Sequence, residues 1–270
     1  VEVTQAGAKT STTAMCKRAT TLHKEVCTNS DSSHYCQADG YSLNSEIEYG
    51  SLGTKGTLTS GDAFDCDVNG DGEYDPETER FYYVSDATNG ITTDSDTAVL
   101  IYYSNVSGGV PSNSSTYAYG SNINGPVTAV KQLPTTTQWK TKLTNTKRQI
   151  TTETGITSTK GGTLSEFSYE GYAARLLTAQ EVNAGCGITI STATRGELST
   201  KCKYLMENTK YSNSSNKAYG EWLESPRAAN YYVVCGVYVD NRSVSGGNAN
   251  TADSYGVRPA IEVLKSDILY

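Results

Sequence analysis

Between Asp67 and Asp75, oxygen-bearing side chains fall at alternate positions: Asp67, Asn69, Asp71, then Glu73 and Asp75, with Gly72 placed for a sharp turn. Calcium takes about six to eight oxygen ligands, and this spacing folds such groups inward around one point. Asp67, Asn69, Asp71 and Asp75 would supply side chains and Glu73 its backbone carbonyl. The twelfth position is Thr78 where an EF-hand-type loop has a bidentate Glu, so Glu77 or Glu79 must substitute from either side. The expectation is a structural calcium site, with Glu79 as the completing ligand; the competing reading is a solvated Asp/Asn/Gly turn.

Other reactive types do not assemble into a catalytic set. Cys235 sits among apolar strand residues, and a nucleophilic thiol needs a nearby base, yet both histidines, His23 and His34, lie far upstream. Glu46/Glu48 and Glu77/Glu79 are paired carboxylates, but sequence neighbours do not give the facing geometry that glycoside hydrolysis requires. The chain therefore reads as a non-enzyme, with a hydrolase as the minor alternative.

The seven cysteines form no Cys-x-x-Cys pair, which favours a disulfide framework in an oxidising compartment over a zinc site. Cys186 and Cys202 flank a loop of suitable length and are expected to pair, a closure contributing ~3 kcal/mol. Cys16, Cys27, Cys36 and Cys66 leave their pairings open, and Cys235 is expected to stay unpaired. A net charge of −7 without a concentrated Lys/Arg face argues against nucleic acid as a partner. No apolar run approaches the ~18–20 residues of a membrane span. The Ala/Thr-rich start at Val1 reads as the exposed end of a helix whose hydrophobic part lies upstream, the sole expected route to a membrane.

These residues must be positioned by a strand-and-loop architecture, since twenty tyrosines and long Ser/Thr/Asn/Gly stretches suit sheets better than helical bundles. Residues 1–45 read as a disulfide-stapled segment with a helix from Thr12 to Val26, and residues 46–270 as the main domain. Strands are expected at 79–85 and 97–104, forming a hairpin, and at 221–225, 231–235 and 257–263. Residues 105–125 and 243–254 read as surface loops. A short helix burying Trp139 is expected over Thr135–Lys142, a capping box at Thr178–Glu181, and a helical turn at 203–208. The glycosylation sequons at Asn105, Asn113, Asn213 and Asn241 carry little weight in Asn/Ser-rich text. Strands, then short helices, then strands without β-α-β alternation make an α+β fold.

The segments Ala174–Val182, Trp222–Pro226 and Tyr255–Ala260, above all Gly256-Val-Arg-Pro259, resemble a group of bacterial surface proteins with a C-type-lectin-like domain related to the formylglycine-generating-enzyme fold. The resemblance spans roughly residues 47–268. Many in this group, chiefly from gut-associated Gram-positive bacteria, resemble type IV prepilins. The resemblance implies an antiparallel β-rich core in which the first hairpin pairs with the last strand, two helices beside it, and an exposed ligand-facing part over 222–255. Some proteins of this type are varied by diversity-generating retroelements. Residues 225–261 lack Glu, Lys, Gln, Met and Trp as such variation predicts, although residues 80–130 lack them too.

Within 222–255, Tyr231, Tyr232 and Tyr238 with Asn230, Asp240, Asn241 and Arg242 have a paratope-like composition. Tyrosines give rigid amphipathic contact area, and Asn and Ser give adaptable hydrogen bonds. Arg227, Asn248, Asn250 and Tyr255 complete the expected contact set, whereas Arg258 reads as a structural residue bonding loop carbonyls. The expected function is an adhesin- or receptor-like protein on the bacterial cell surface, binding a protein or glycan on another cell or host surface. A minor pilin-like subunit without a dedicated ligand is the alternative.

Overall fold

The computed structural model describes residues 14–28, 40–87, 95–114, 120–190, 195–207, 210–212, 217–238, 243–251 and 255–270. The first part of the chain forms β1 (Cys16–Arg18), β2 (Lys24–Val26), β3 (Glu46–Glu48), β4 (Ala63–Cys66), β5 (Arg80–Asp86), β6 (Thr97–Tyr102) and β7 (Ser107–Gly108). Short strands β8 (Lys147–Gln149), β9 (Ser158–Thr159), β10 (Gly162–Thr163) and β11 (Glu166–Ser168) lead to helices α1 (Ala179–Cys186) and α2 (Arg195–Lys201). The chain ends with β12 (Lys210–Ser212), β13 (Lys217–Pro226), β14 (Val233–Tyr238), β15 (Ser243–Asn248), β16 (Gly256–Val257), β17 (Ala260–Leu264) and β18 (Ile268–Leu269). The molecule is β-rich with few helices, in keeping with an α+β class.

One sheet runs β17-β6-β5-β4-β1-β18 and a second β15-β14-β13-β16-β7, with β12 added beside β13. The β5–β6 hairpin is the centre of the first sheet because β5 has apolar side chains on both faces. Phe81 and Tyr83 enter one core with Leu100 and Ile261, while Tyr82 and Val84 enter another with Val99, Leu177 and Val182. A strand buried on both faces reads as a continuous apolar run, which is why Phe81–Val84 stands out in the sequence. The last long strand pairs with this hairpin in antiparallel register, Ile261 opposite Leu100. Cys16–Arg18 lies between β4 and β18, so the N-terminal segment is woven into the sheet there.

The expected strand over 257–263 divides in two. Gly256 and Val257 pair in the second sheet, with β13 and β7. Ala260 onward pairs with β6 in the first. The break falls at Arg258-Pro259, where proline lacks the N–H a continuous ladder would need. Arg258 holds the crossing together: its guanidinium donates to the carbonyls of Tyr102 (2.6 Å), Leu205 (3.0 Å) and Tyr204 (2.7 Å). This is the structural role expected for it.

The capping box is present: the Thr178 hydroxyl accepts from the Glu181 N–H at 3.1 Å, and the Glu181 carboxylate accepts from the Thr178 N–H at 2.9 Å. Gly187 ends α1 at φ 59°, the left-handed conformation that glycine adopts without strain. A 3₁₀ turn occupies Lys203–Met206. Cys186 and Cys202 form the expected disulfide, Cys16 and Cys66 a second, Cys27 is also disulfide-bonded, and Cys235 is free and buried.

Four local expectations are corrected. The described part of Thr12–Val26 is two strands, because β1 gains ladders from β4 and β18 and a disulfide opposite Cys66 that a helix would forgo. Thr135–Lys142 is a turn: the Gln138 side chain accepts from the Thr135 N–H at 2.9 Å, and Trp139 is half-buried against Phe81 and Tyr102. The 105–125 stretch is no mere surface loop, since Asn105, Ser112, Asn113, Ser121 and Asn122 are all buried. The first half of 243–254 is β15, paired residue for residue with β14.

Candidate functional site

The acidic loop is closed by its own backbone. Asp67 accepts from the N–H groups of Gly70 (2.8 Å) and Gly72 (3.0 Å), Asn69 Oδ1 from Asp71, and Asp71 from Glu73, the last two at 2.8 Å. Glu79, only 3% exposed, reaches in from the start of β5 and accepts from the N–H groups of Asn69 (3.4 Å) and Asp75 (3.1 Å). Burial raises its carboxyl pKa, and the charges of Asp67 and Asp71 add to the shift despite the amide bonds. The Asp75 pKa is lowered, chiefly by the Glu77 N–H. Glu79, not the exposed Glu77, is thus the carboxylate turned into the loop. The donors are all oxygen, which suits a hard cation, but those oxygens are engaged by amides. Among the described residues no group of three or more His, Cys, Asp or Glu is arranged to hold a metal ion.

The loop is tied down at both ends. Asp67 N–H donates to the Met15 carbonyl at 2.9 Å, the Tyr74 hydroxyl to the Ala14 carbonyl, and Lys140 N–H to the Val68 carbonyl at 2.6 Å. The Cys16–Cys66 disulfide lies immediately before it.

The second candidate lies in the turn between β13 and β14. Tyr231 is 54% exposed, its ring edge-on to half-buried Tyr232 at 4.6 Å between centroids. Its support comes from residues that sequence reasoning did not single out. Asn122, 2% exposed, extends its amide to the carbonyls of Asn230 and Val233 (both 3.0 Å) and Arg227 (3.4 Å). The Asn122 Oδ1 accepts the Thr159 hydroxyl at 3.2 Å, which carries the β9–β10 hairpin to the same place. Glu153 pairs with Arg227 at 3.4 Å and accepts from the Ala228 N–H at 2.8 Å. Arg227 is therefore committed to holding the turn. A buried asparagine in a Ser/Asn/Gly stretch looks like every other loop asparagine in sequence, so no signal marked Asn122.

The expected contact set is only partly brought together. Asn230, Tyr231 and Tyr232 share the turn, and Asn248 and Asn250 are half-buried at the end of β15 and just beyond it. Tyr255 is corrected: it is 3% exposed and stacks on buried Trp222 at 3.9 Å, where it packs the core beneath β14 and β15. The same holds for much of 222–255, since Leu223, Val234, Cys235, Val237 and Ala249 are core residues. Asp240, Asn241 and Arg242, with the Tyr238 side chain, lie outside the described residues, as do the sequons at Asn213 and Asn241. Asn105 and Asn113 are too buried to carry a glycan.

Burial pushes the Cys235 thiol pKa far up, which leaves it protonated and unreactive. Among the described residues no helix is long and apolar enough to cross a membrane. No protein-family model, curated protein or solved structure matches the chain.

Proposed function

We propose that this chain is an extracellular, cell-surface binding protein, adhesin- or receptor-like and without catalytic activity, whose domain is of the C-type-lectin-like type. It engages a protein or glycan on another cell or host surface through the turn at Arg227–Tyr232. The observation that carries this reading is Tyr231: a large ring held 54% exposed on a turn whose backbone is fixed from beneath by Asn122 and Glu153. An exposed aromatic on a rigid support gives contact area at low entropic cost, as binding surfaces require. The Cys16–Cys66 and Cys186–Cys202 disulfides support an oxidising, extracellular setting. The pairing of the first hairpin with the last long strand, and α1 packed beside β5, support the fold type.

The test is Tyr231→Ala with Tyr232→Ala, probed on an immobilised panel of host-surface glycans and extracellular-matrix proteins. Binding to whichever probe captures the native chain is expected to fall by at least about tenfold, in line with loss of an aromatic anchor. The melting temperature should move by no more than about 2 °C, since substitutions at exposed sites cost little. Unchanged binding would place the ligand elsewhere, and loss of the fold would make these tyrosines structural.

A further inference from the structure

His23 stands just before β2 with its ring enclosed by three parts of the chain. Its Nδ1 is 2.6 Å from the Glu207 carboxylate, and its Nε2 is 2.5 Å from the Pro76 carbonyl. The other Glu207 oxygen accepts the hydroxyl of Tyr82. A carbonyl and a carboxylate both accept, a neutral imidazole has one N–H to give, and an imidazolium has two. With Glu207 as a carboxylate, the ring makes both contacts at once only when it is protonated. Its surroundings fit that state. Glu207, which follows the Lys203–Met206 turn, is 2% exposed and needs a cation or donors. From β5, Tyr82 supplies a hydroxyl, and Arg80 supplies an opposing charge that is paired with Asp65 at 2.7 Å. Tyr103, past the end of β6, meets the ring edge-on at 5.0 Å. Tyr49, which follows β3, donates its hydroxyl to Glu25 of β2, so that carboxylate is occupied within the small β2–β3 sheet.

We propose that His23 is a protonation-gated latch: as an imidazolium it clamps the β2–β3 pair to the end of the acidic loop at Pro76 and to Glu207, and on losing its proton it releases one of them, opening residues 20–28 locally. The opening stays local because Cys16–Cys66 fixes the chain upstream and β3 continues into the body. Burial works against the charged ring, but the hydrogen bond and charge of Glu207 and the Pro76 carbonyl outweigh it, and the His23 pKa stands above the ordinary value. A histidine raised in the folded state stabilises fully below its unfolded pKa and loses that contribution as pH rises through the folded one. The latch is closed in acid and opens toward the alkaline side. It operates whether or not the Tyr231 turn binds a ligand.

The test uses the whole chain with His34→Gln, which leaves His23 as its single histidine. Proton NMR of the ring should give a midpoint above the ordinary imidazole value of about 6.5. Amide exchange over residues 22–28 and 46–49, corrected for intrinsic pH dependence, should rise by roughly fivefold between acid and alkaline ends of the same titration. His23→Gln should exchange fast at both ends, without that rise. A midpoint at or below the ordinary value, or exchange over these segments that does not follow the titration, overturns the latch. The wild-type-ring titration decides this even if His23→Gln fails to fold.

Discussion

Two buried arginines set their neighbouring carboxylates in opposite states. Around Arg175 every guanidinium nitrogen finds a partner: Nη1 and Nη2 grip Glu181 at 2.9 and 2.6 Å, Nε meets Glu262 at 2.7 Å, and Nη1 also reaches the Leu176 carbonyl at 3.0 Å. Arg148 extends the cluster to Glu224 at 3.1 Å, which also accepts the Tyr169 hydroxyl at 2.9 Å. Burial opposes ionisation of Glu181 and Glu262, but the Arg175 charge overcomes it and lowers both pKa values. Arg258 instead spends its donors on three backbone carbonyls, leaving Glu221 at 3.7 Å with neither carboxylate oxygen hydrogen-bonded. Burial then raises the Glu221 pKa to about 7. The lesson is geometric: a guanidinium fork neutralises a buried acid only where its N–H groups face that acid.

The comparison is broken most forcefully at its satisfied end. Arg175→Met should leave Glu181 buried without its ion-pair partner and Glu262 with only Arg148 at 3.8 Å, and lower stability by about 3–5 kcal/mol. Urea denaturation at neutral pH measures it. Arg175→Lys should recover part of the loss, because a lysine keeps the charge but cannot reproduce a two-pronged grip on Glu181 together with the bond to Glu262. A loss below about 1 kcal/mol for the methionine variant would mean that the cluster contributes no more than a surface ion pair.

At the unsatisfied end the sign reverses. The Glu221 pKa rises on folding from 4.5 to about 7, so the native state holds the extra proton across that window. The Glu221 contribution to stability is therefore highest below the unfolded value, falls through the window, and levels off above the folded one. At about 1.4 kcal/mol per pKa unit, the drop amounts to roughly 3 kcal/mol, an upper bound if Arg258 relaxes toward the ionised group. Glu221→Gln should flatten this contribution and leave the protein more stable than wild type above neutrality by a part of that amount. Chemical denaturation across the acid-to-neutral range checks it, and a variant less stable than wild type at every pH would show that the carboxyl has a partner in the folded state.

What the sequence made legible follows the same division between local and long-range causes. The β5–β6 hairpin, the Thr178–Glu181 cap and the Cys186–Cys202 closure are written in neighbouring residues, so periodicity, capping chemistry and loop length suffice to find them. Cys16–Arg18 looked helical because its partners, β4 and β18, lie about 50 and 250 positions away and no local pattern announces them. The turn proposed for binding was legible in its display residue, Tyr231, and opaque in its support. Asn122 acts on carbonyls more than a hundred residues downstream, and Tyr255 reads as a paratope tyrosine until Trp222 is seen stacked on it. Composition marks what is polar or aromatic; only the fold decides which of those groups face solvent.

The acidic loop supplies the mildest test, because its carboxylates accept from backbone amides. A metal there must compete with bonds already made, and the twelfth-position ligand is replaced by Glu79 from one residue further on. Weak binding in the range of extracellular modules, with a Kd of about 0.1–1 mM, is the expected outcome. At calcium near that Kd the linkage is worth only about 0.4 kcal/mol, and at ten times it about 1.4 kcal/mol. The melting temperature should thus climb by a few degrees at most across a millimolar calcium titration and fall back with EDTA. Asp71→Asn should weaken the response without unfolding the exposed loop, while Glu79→Gln should abolish it. Glu79 is the buried member, so its loss should also lower the metal-free melting temperature. If calcium moves neither the wild-type melting temperature nor its tyrosine fluorescence, the amides alone close this loop and its alternating acids are a hydrogen-bonded turn.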